Sequence, residues 1–390
     1  MGEKGNYILW LPSWYPNRLQ PFDGDFIQRH AIAASANIPV RVIKVVNDKR
    51  GMITSRIAVE ESAAGQLAET IVYLNTSRSW SSAGKIFRQY KSLIRDCIRQ
   101  HGTPLLVHVH VAMSAGTVAL WVRRKYRIPF VISEHWTLYQ PTNPGGFQSR
   151  HKWFRVITRR VFSRALAVIT VSKDLADLLK TLFRPQNVLV IPNVVDCSVF
   201  FPGDALPRPF RFIHVSEMGY QKNVSSIVKA FSTLLKNFPD THLVVVGKPT
   251  EELDRELNQL HPEIRSRIVT KGQVAYGQVA VELRNAHAMV MNSHFENQPC
   301  AILEALCSGL PVLSSAVGGI REVIDDGNGI LIPAGRNDAL AGAMEQMIRR
   351  YQHYDRLSIA GDAKSKYGYE VVAAQFAEIY RALGAVSPTG

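Results

Sequence analysis

Cysteine is scarce in this chain. Four occur in 390 residues, Cys97, Cys197, Cys300 and Cys307, with no C-x-x-C pair and no histidine pairing. That pattern reads as buried free thiols in a reducing cytosol rather than as a disulfide framework or a zinc site. Long apolar runs are missing too, none approaching the roughly 18 residues that span a bilayer. The opening MGEKGNYILWLPSWYP holds one lysine and a five-residue apolar stretch. It reads as a first strand, not as a secretion signal. Met1-Gly2 begins like a myristoylation start, but Asn6 stands where serine or threonine is needed. Neither half opens with G-x-G-x-x-G, which excludes a conventional nicotinamide dinucleotide finger.

Acidic residues are scarce in one half only. Residues 1–200 carry 27 Lys/Arg against 12 Asp/Glu, a balance of +15, whereas residues 201–390 carry 19 against 20, or −1. The first half therefore meets something anionic: a membrane surface, nucleic acid or a phosphorylated substrate. In the stretch 79–102, Phe87, Tyr90, Ile94 and Cys97/Ile98 share a helical face while Lys85, Arg88, Lys91, Arg95 and Arg99 crowd the rest. RHKWFRVITRRVFSR, 150–164, is similar in kind. Nucleic acid is disfavoured, because no recognition module or stacking platform is present.

What is abundant is alternation. NYILWL, VRVIKVV, LLVHVHV, PFVISEH, LAVITVS and VLVIPNV read as buried parallel strands, with helices expected at 24–36, 83–100, 114–126 and 150–164. A second series follows: FRFIHVS, THLVVVG, RIVTKG, AMVMNS, PVLSS and GILIP. Helices are expected there at 223–237, 251–260, 278–286, 300–308 and 336–350. Two βα series mean two α/β domains, 1–195 and 205–365. The Pro-rich stretch 191–210 separates them, and a closing amphipathic helix in 366–390 is expected to pack back on the first domain.

Ligands of open α/β sheets sit beyond the carboxyl ends of the strands, where helix amino termini point. HFENQPCAILEALCSGLPV, 294–312, is such a place. A strand ends, a loop carries Glu296, and a helix starts near Cys300 with free amides suited to a phosphate oxygen. Pro299 lacks an N–H and costs nothing there. Glu304, a turn further in, comes within reach of a ribose. Neither carboxylate has a basic neighbour in sequence. Each is expected to face sugar hydroxyls instead. His108 and His110 share a face of one strand, and a structural role is expected because no third ligand stands at suitable spacing.

This stretch resembles the nucleotide-sugar site of the retaining GT-B glycosyltransferases of family 4 (glycosyl transferases group 1). Two glutamates stand at the family's spacing, followed by EALCSGLPV at 304–312, GGIRE at 318–322 and DDGNGILIP at 325–333. SWYP with Gly24, VHVH at 107–110, ISEH at 132–135, VIPNVVDCSVFFP at 190–202 and Lys222-Asn223 occur in the family's order. The resemblance implies a GT-B fold, two Rossmann-like domains with parallel sheets facing a central cleft. It implies that Glu296 and His135 are the catalytic pair, holding the transferred sugar and the acceptor. Gly24, Lys222, Gly272, Cys300, Ala301 and Glu304 would bind the donor: Lys222 and the amides of Cys300 and Ala301 at the diphosphate, Glu304 at the ribose, Gly272 near the base. Gly24 would let the backbone approach the phosphates. No metal and no cofactor beyond the nucleotide-diphosphate sugar is implied.

Two departures from the family pattern stand out. VSEMGYQKN places Ser216 and Glu217 where a Gly-Arg pair is common, removing a positive charge from the diphosphate; Glu217 is expected to turn away, and Arg321 is a candidate substitute. Asn297-Gln298-Pro299 replaces Gly-Phe-Gly, which is expected to alter the wall beside the donor sugar. The resemblance implies a retaining, metal-independent hexosyltransferase acting on a hydroxyl acceptor. The basic half points to a lipid-linked or surface-polysaccharide acceptor (lipopolysaccharide, capsule, exopolysaccharide), and to a cytoplasmic protein peripheral on the inner membrane face. Two rivals share the donor residues: a soluble transferase acting on a small metabolite or polymer, and a non-catalytic sugar-nucleotide-binding or partner-stabilising subunit.

Overall fold

The computed structural model describes residues 5–76, 82–204 and 208–384. Met1-Gly2, the first three residues of the basic stretch 79–102, part of the 191–210 boundary and the last six residues of the closing segment fall outside that description. The first sheet has eight strands: β1 (Ile8–Pro12), β2 (Val40–Asp48), β3 (Ile57–Ala64), β4 (Leu67–Asn75), β5 (Leu106–His110), β6 (Phe130–Glu134), β7 (Val168–Thr170) and β8 (Val188–Val190). Their order is β3-β4-β2-β1-β5-β6-β7-β8, parallel except for the β3–β4 hairpin. All five residues of β1 are buried, as befits a central strand covered on both faces. The order reverses between β1 and β5, so the loops after these strands open a crevice at their carboxyl ends.

The second sheet holds β9 (Arg211–Val215), β10 (His242–Val246), β11 (Ile268–Thr270), β12 (Ala288–Met291), β13 (Val312–Ser315) and β14 (Gly329–Ile332), ordered β11-β10-β9-β12-β13-β14 and parallel throughout. Its core is one cluster, in which Phe212, Phe231, Leu303 and Met344 are buried. The first sheet carries two large clusters, one on each face, and a small one around Val46, Ile53 and Tyr73.

Sequence reading found every strand of the second sheet and missed the β3–β4 hairpin. β3 lies at the sheet's edge and is half to fully exposed along its length, so IAVEESAA carries no inward apolar face to read. Two of the longer helices were also not singled out, Lys173–Phe183 and Arg356–Tyr367. Both begin with a capping side chain: Ser172 Oγ accepts from Leu175 N–H, and Asp355 accepts from Leu357 and Ser358.

The helix Tyr369–Ala382 leaves the second domain and lies on the first domain's helix Asp25–Ser35. Phe376 and Tyr380 enter the core around Trp10, and Tyr380 Oη lies 2.7 Å from His108 Nδ1. That contact ties the chain's closing helix to the strand next to the crevice.

Candidate functional site

Between the two domains opens a cleft of about 1010 Å³. Of the eight residues singled out in the sequence, Gly24, His135, Lys222, Cys300, Ala301 and Glu304 line it. Glu296 and Gly272 do not. Gly272 stands one residue before Gln273, which does, and has the left-handed φ of +65° that favours glycine. Gly24 caps the helix Asp25–Ser35 with φ +66°, and a Cβ there would lie 2.6 Å from the Trp14 carbonyl carbon. Its glycine is demanded by the close passage of the Trp14 backbone, a reason nearer than phosphate access.

Glu296 is buried behind Lys222. The Lys222 ammonium meets Glu296 Oε1 at 2.5 Å, Ser293 Oγ donates to the same oxygen at 2.8 Å, and Gln221 Nε2 donates to Oε2 at 3.0 Å. The expectation that this carboxylate lacks a basic neighbour fails: Lys222 comes from the turn before the helix Val224–Leu234 and is distant only in sequence. Three donors converging on one buried carboxylate satisfy it and hold the ammonium at the cleft wall.

Glu304 has a cation as well. Arg29, on the first domain's helix Asp25–Ser35, places Nη2 3.6 Å from Glu304 Oε1 and donates from Nη1 to Asp25 Oδ2 at 2.8 Å. Its guanidinium lies over the Tyr276 ring, 4.5 Å from the centroid. Burial pushes the Glu304 carboxyl up to about 7; Arg29 opposes the rise and Asp25 adds to it. Burial also raises the Cys300 thiol to about 12, so this residue offers its backbone amide rather than a thiolate. Sequence reading missed Arg29, since nothing in sequence links residue 29 to residue 304.

His135 stands at the end of β6, and the buried Glu134 carboxylate accepts from the backbone amides of Ala112, His135 and Trp136. His135 lines the cleft with both ring nitrogens buried, and the rings of His30 and His110 pack beside it; one ring nitrogen from each of the three lies within 4.8 Å of the others. The His30 and His110 partners come from other elements, so the lack of a third ligand in sequence was no argument against a metal. Burial holds His135 and His110 well below the ordinary histidine range and His30 near 4, so all three are neutral at pH 7. A neutral His135 can accept or donate a hydrogen bond but is no acid at that pH.

Both departures from the family pattern have a structural consequence. Asn297 and Gln298 are buried away from the cleft wall and bind the other domain. Asn297 Nδ2 donates to the His135 carbonyl at 2.9 Å, and Gln140 Nε2 donates to Asn297 Oδ1 at 2.9 Å. The Asn193 amide donates to Gln298 Oε1 at 2.7 Å. These two side chains form a seam between domains, while Pro299, the third residue of the triplet, lines the cleft. Arg321 does not replace the missing cation: its guanidinium bonds Asp174 at 3.0 Å, while Glu322 accepts from the free amides of Lys173 and Asp174. Gly318 and Gly319 let this turn close on the loop, for a Cβ would fall 1.9 Å from the Glu296 carbonyl oxygen or 2.1 Å from that of Asn297. Glu217 does not turn away. It lines the cleft and adds to the rise that burial imposes on the neighbouring Asp23 carboxyl.

Residues 201–364 match the family model of glycosyl transferases group 1, and residues 58–199 that of glycosyltransferase family 4. A protein of Bacillus subtilis (strain 168) named "Putative teichuronic acid biosynthesis glycosyltransferase TuaC" is 25% identical over 95% of this chain and 94% of its own length. The sucrose-phosphate synthase (tll1590) of Thermosynechococcus elongatus superposes with a TM-score of 0.77 at 18% identity, covering 98% of this chain and all of that one. Anabaena Alr3699/HepE in complex with UDP gives 0.72 at 17% identity over 96% of this chain and all of that one. Such superpositions show a shared fold, GT-B.

Proposed function

The chain belongs to glycosyltransferase family 4, with the GT-B fold, and from that membership we propose a reaction. A nucleotide-diphosphate sugar binds in the cleft and gives its sugar, with retention, to an acceptor hydroxyl. The single observation that carries this reading is the Lys222–Glu296 pair at the mouth of the helix Cys300–Cys307, with Glu304 a turn further along the same wall. A donor would take this pair apart in a useful sense. The diphosphate draws Lys222, and the freed Glu296 oxygen accepts a sugar hydroxyl. The amides of Cys300 and Ala301 meet the diphosphate and Glu304 the ribose. Anabaena HepE, captured with UDP, supports a nucleotide in such a cleft.

In the transfer, the acceptor oxygen attacks C1 as the C1–O bond to the diphosphate breaks on the same face. The acceptor's proton passes to the leaving diphosphate oxygen, so a glycosidic C–O bond replaces a glycosyl phosphate one. Lys222 and the helix amides stabilise the charge that develops on the leaving group. His135, neutral, orients the hydroxyls and takes no net proton. This reading calls for no metal.

The acceptor we propose is a lipid-linked or surface-polysaccharide intermediate met at an anionic membrane face. The basic half supports it. Trp121, Arg123, Arg124, Arg160 and Arg164 line a hollow of about 510 Å³, and Trp153 on the adjoining helix Lys152–Phe162 is 70% exposed. No helix of the described residues is long and apolar enough to cross a membrane. Basic residues near an anionic leaflet contribute about 1 kcal/mol each. The test of the site is a pair of variants: Glu296→Ala abolishes transfer, and Glu304→Ala raises the donor KM with a smaller effect on kcat. Wild-type kinetics in both would refute the assignment.

A further inference from the structure

Arg29 is a buried cation of the cleft to which the sequence reading gave no role. Among the described residues, four observations bear on it. It is 7% exposed, and its Nε–H takes no hydrogen bond, an expensive state for a buried guanidinium donor. Its Nη2 faces Glu304, the expected ribose ligand, and its guanidinium reaches Cys300, the first residue of the helix whose amides would meet the phosphate. It therefore sits over the junction between ribose and diphosphate. The Tyr276 ring and the Asp25 carboxylate fix its plane, so a bidentate acceptor would meet an oriented fork.

The clamp position opposite has the wrong charge. Ser216 and Glu217 line the same cleft, and Ser216 Oγ is engaged with His214 Nε2 at 2.6 Å. Arg321 is committed to Asp174 across the domain seam. Lys222 alone, of the cations expected at the diphosphate, is in place, and it shares its charge with Glu296. Arg29 repeats that arrangement: each of the two carboxylates is paired with one cation that a phosphate oxygen would attract more strongly. We propose that Arg29 is the second diphosphate cation of this donor site, supplied by the first domain in place of the absent clamp arginine of the second. The site then closes on the donor with one cation from each domain, so diphosphate binding draws the domains together.

The inference rests on the donor reading above, and calorimetry on the full chain separates the two. UDP, GDP and ADP are titrated alongside the corresponding nucleosides, with circular dichroism and melting to confirm that each variant folds. Arg29→Gln should weaken the preferred diphosphate about 10- to 100-fold and change nucleoside binding by less than about threefold. Arg29→Lys should recover part of the loss, and Glu217→Arg in the Arg29→Gln background should restore diphosphate binding. Diphosphate affinity that is unchanged or improved in Arg29→Gln would overturn the proposal, since Arg29 would then only occupy Glu304. An equal loss for nucleoside and diphosphate would overturn it too. Should wild-type protein bind none of the three diphosphates, the donor reading falls and this inference with it.

Discussion

At the scale of single residues, the site is a set of buried charges held by partners that sequence order hides. Glu304 is the one whose protonation changes near neutrality, because burial lifts its carboxyl to about 7 from an ordinary value near 4.5. The ionised form is the better acceptor for two ribose hydroxyls. Donor nucleotide affinity should therefore rise as the pH goes from 6 to 8 in the wild type and stay nearly flat in Glu304→Gln. Calorimetry at the two pH values checks it, and parallel profiles for both proteins would contradict it. The motif around Glu296 and Glu304 was legible because loop, helix start and spacing are local. Their partners were not: Arg29 and Lys222 reach them through the fold, from 275 and 74 positions away. A reading that asks only about neighbours in sequence finds two unpaired carboxylates where the molecule has two ion pairs.

At the scale of elements, the domain seam depends on a borrowed cap. Glu322, from the turn Gly318–Glu322 of the second domain, accepts from the first free amides of the first domain's helix Lys173–Phe183, at 2.9 and 2.7 Å. Ser172 caps the same helix from within. Replacing a capping oxygen costs about 0.5–2 kcal/mol, and here the loss falls on the interface. Glu322→Ala should lower the unfolding free energy by an amount in that range and speed proteolysis of the 191–210 connection, whereas Glu252→Ala, exposed on the helix Glu251–Asn258, should do neither. Both elements carry sequence signals. The helix shows Ser172 followed by buried Leu175, Ala176 and Leu179, a pattern of 3.6 periodicity. That one meets the other across the domains has no local signature. The second sheet, by contrast, was readable strand by strand because largely buried parallel strands are short apolar runs bounded by turn residues.

At the scale of the whole molecule, two properties follow from where charge is and where it is not. The surplus of +15 in residues 1–200 predicts salt-sensitive binding to vesicles containing anionic phospholipid. Sedimentation at 50 and 500 mM salt checks it, and protein that stays in the supernatant at both would remove the support for a membrane-face acceptor. The interior is rich in neutral histidine. Burial holds His30 and His214 near 4, His108 near 3, and His110 and His135 well below their ordinary value. Between about pH 6.5 and 4 the unfolded chain takes up protons that these folded rings refuse, so their contribution to stability is lost as pH falls. The carboxyls of Glu304, Glu134 and Asp23, all raised by burial, have the opposite sign, but five rings outnumber the three. The urea midpoint should fall from pH 7.5 to pH 5; a midpoint that is level or rises would contradict the buried cluster.

The claim on which the rest depends is donor chemistry in the cleft, and nucleotide release from a set of UDP-, GDP- and ADP-sugars measures it most directly. Purified protein, with and without a glycan or lipid-linked acceptor, should release the nucleoside diphosphate from one base class, and Glu296→Ala and Lys222→Ala should each remove that release. Tight binding of a nucleotide sugar with no release, whatever acceptor is supplied, would contradict the account and leave a sugar-nucleotide binder in its place.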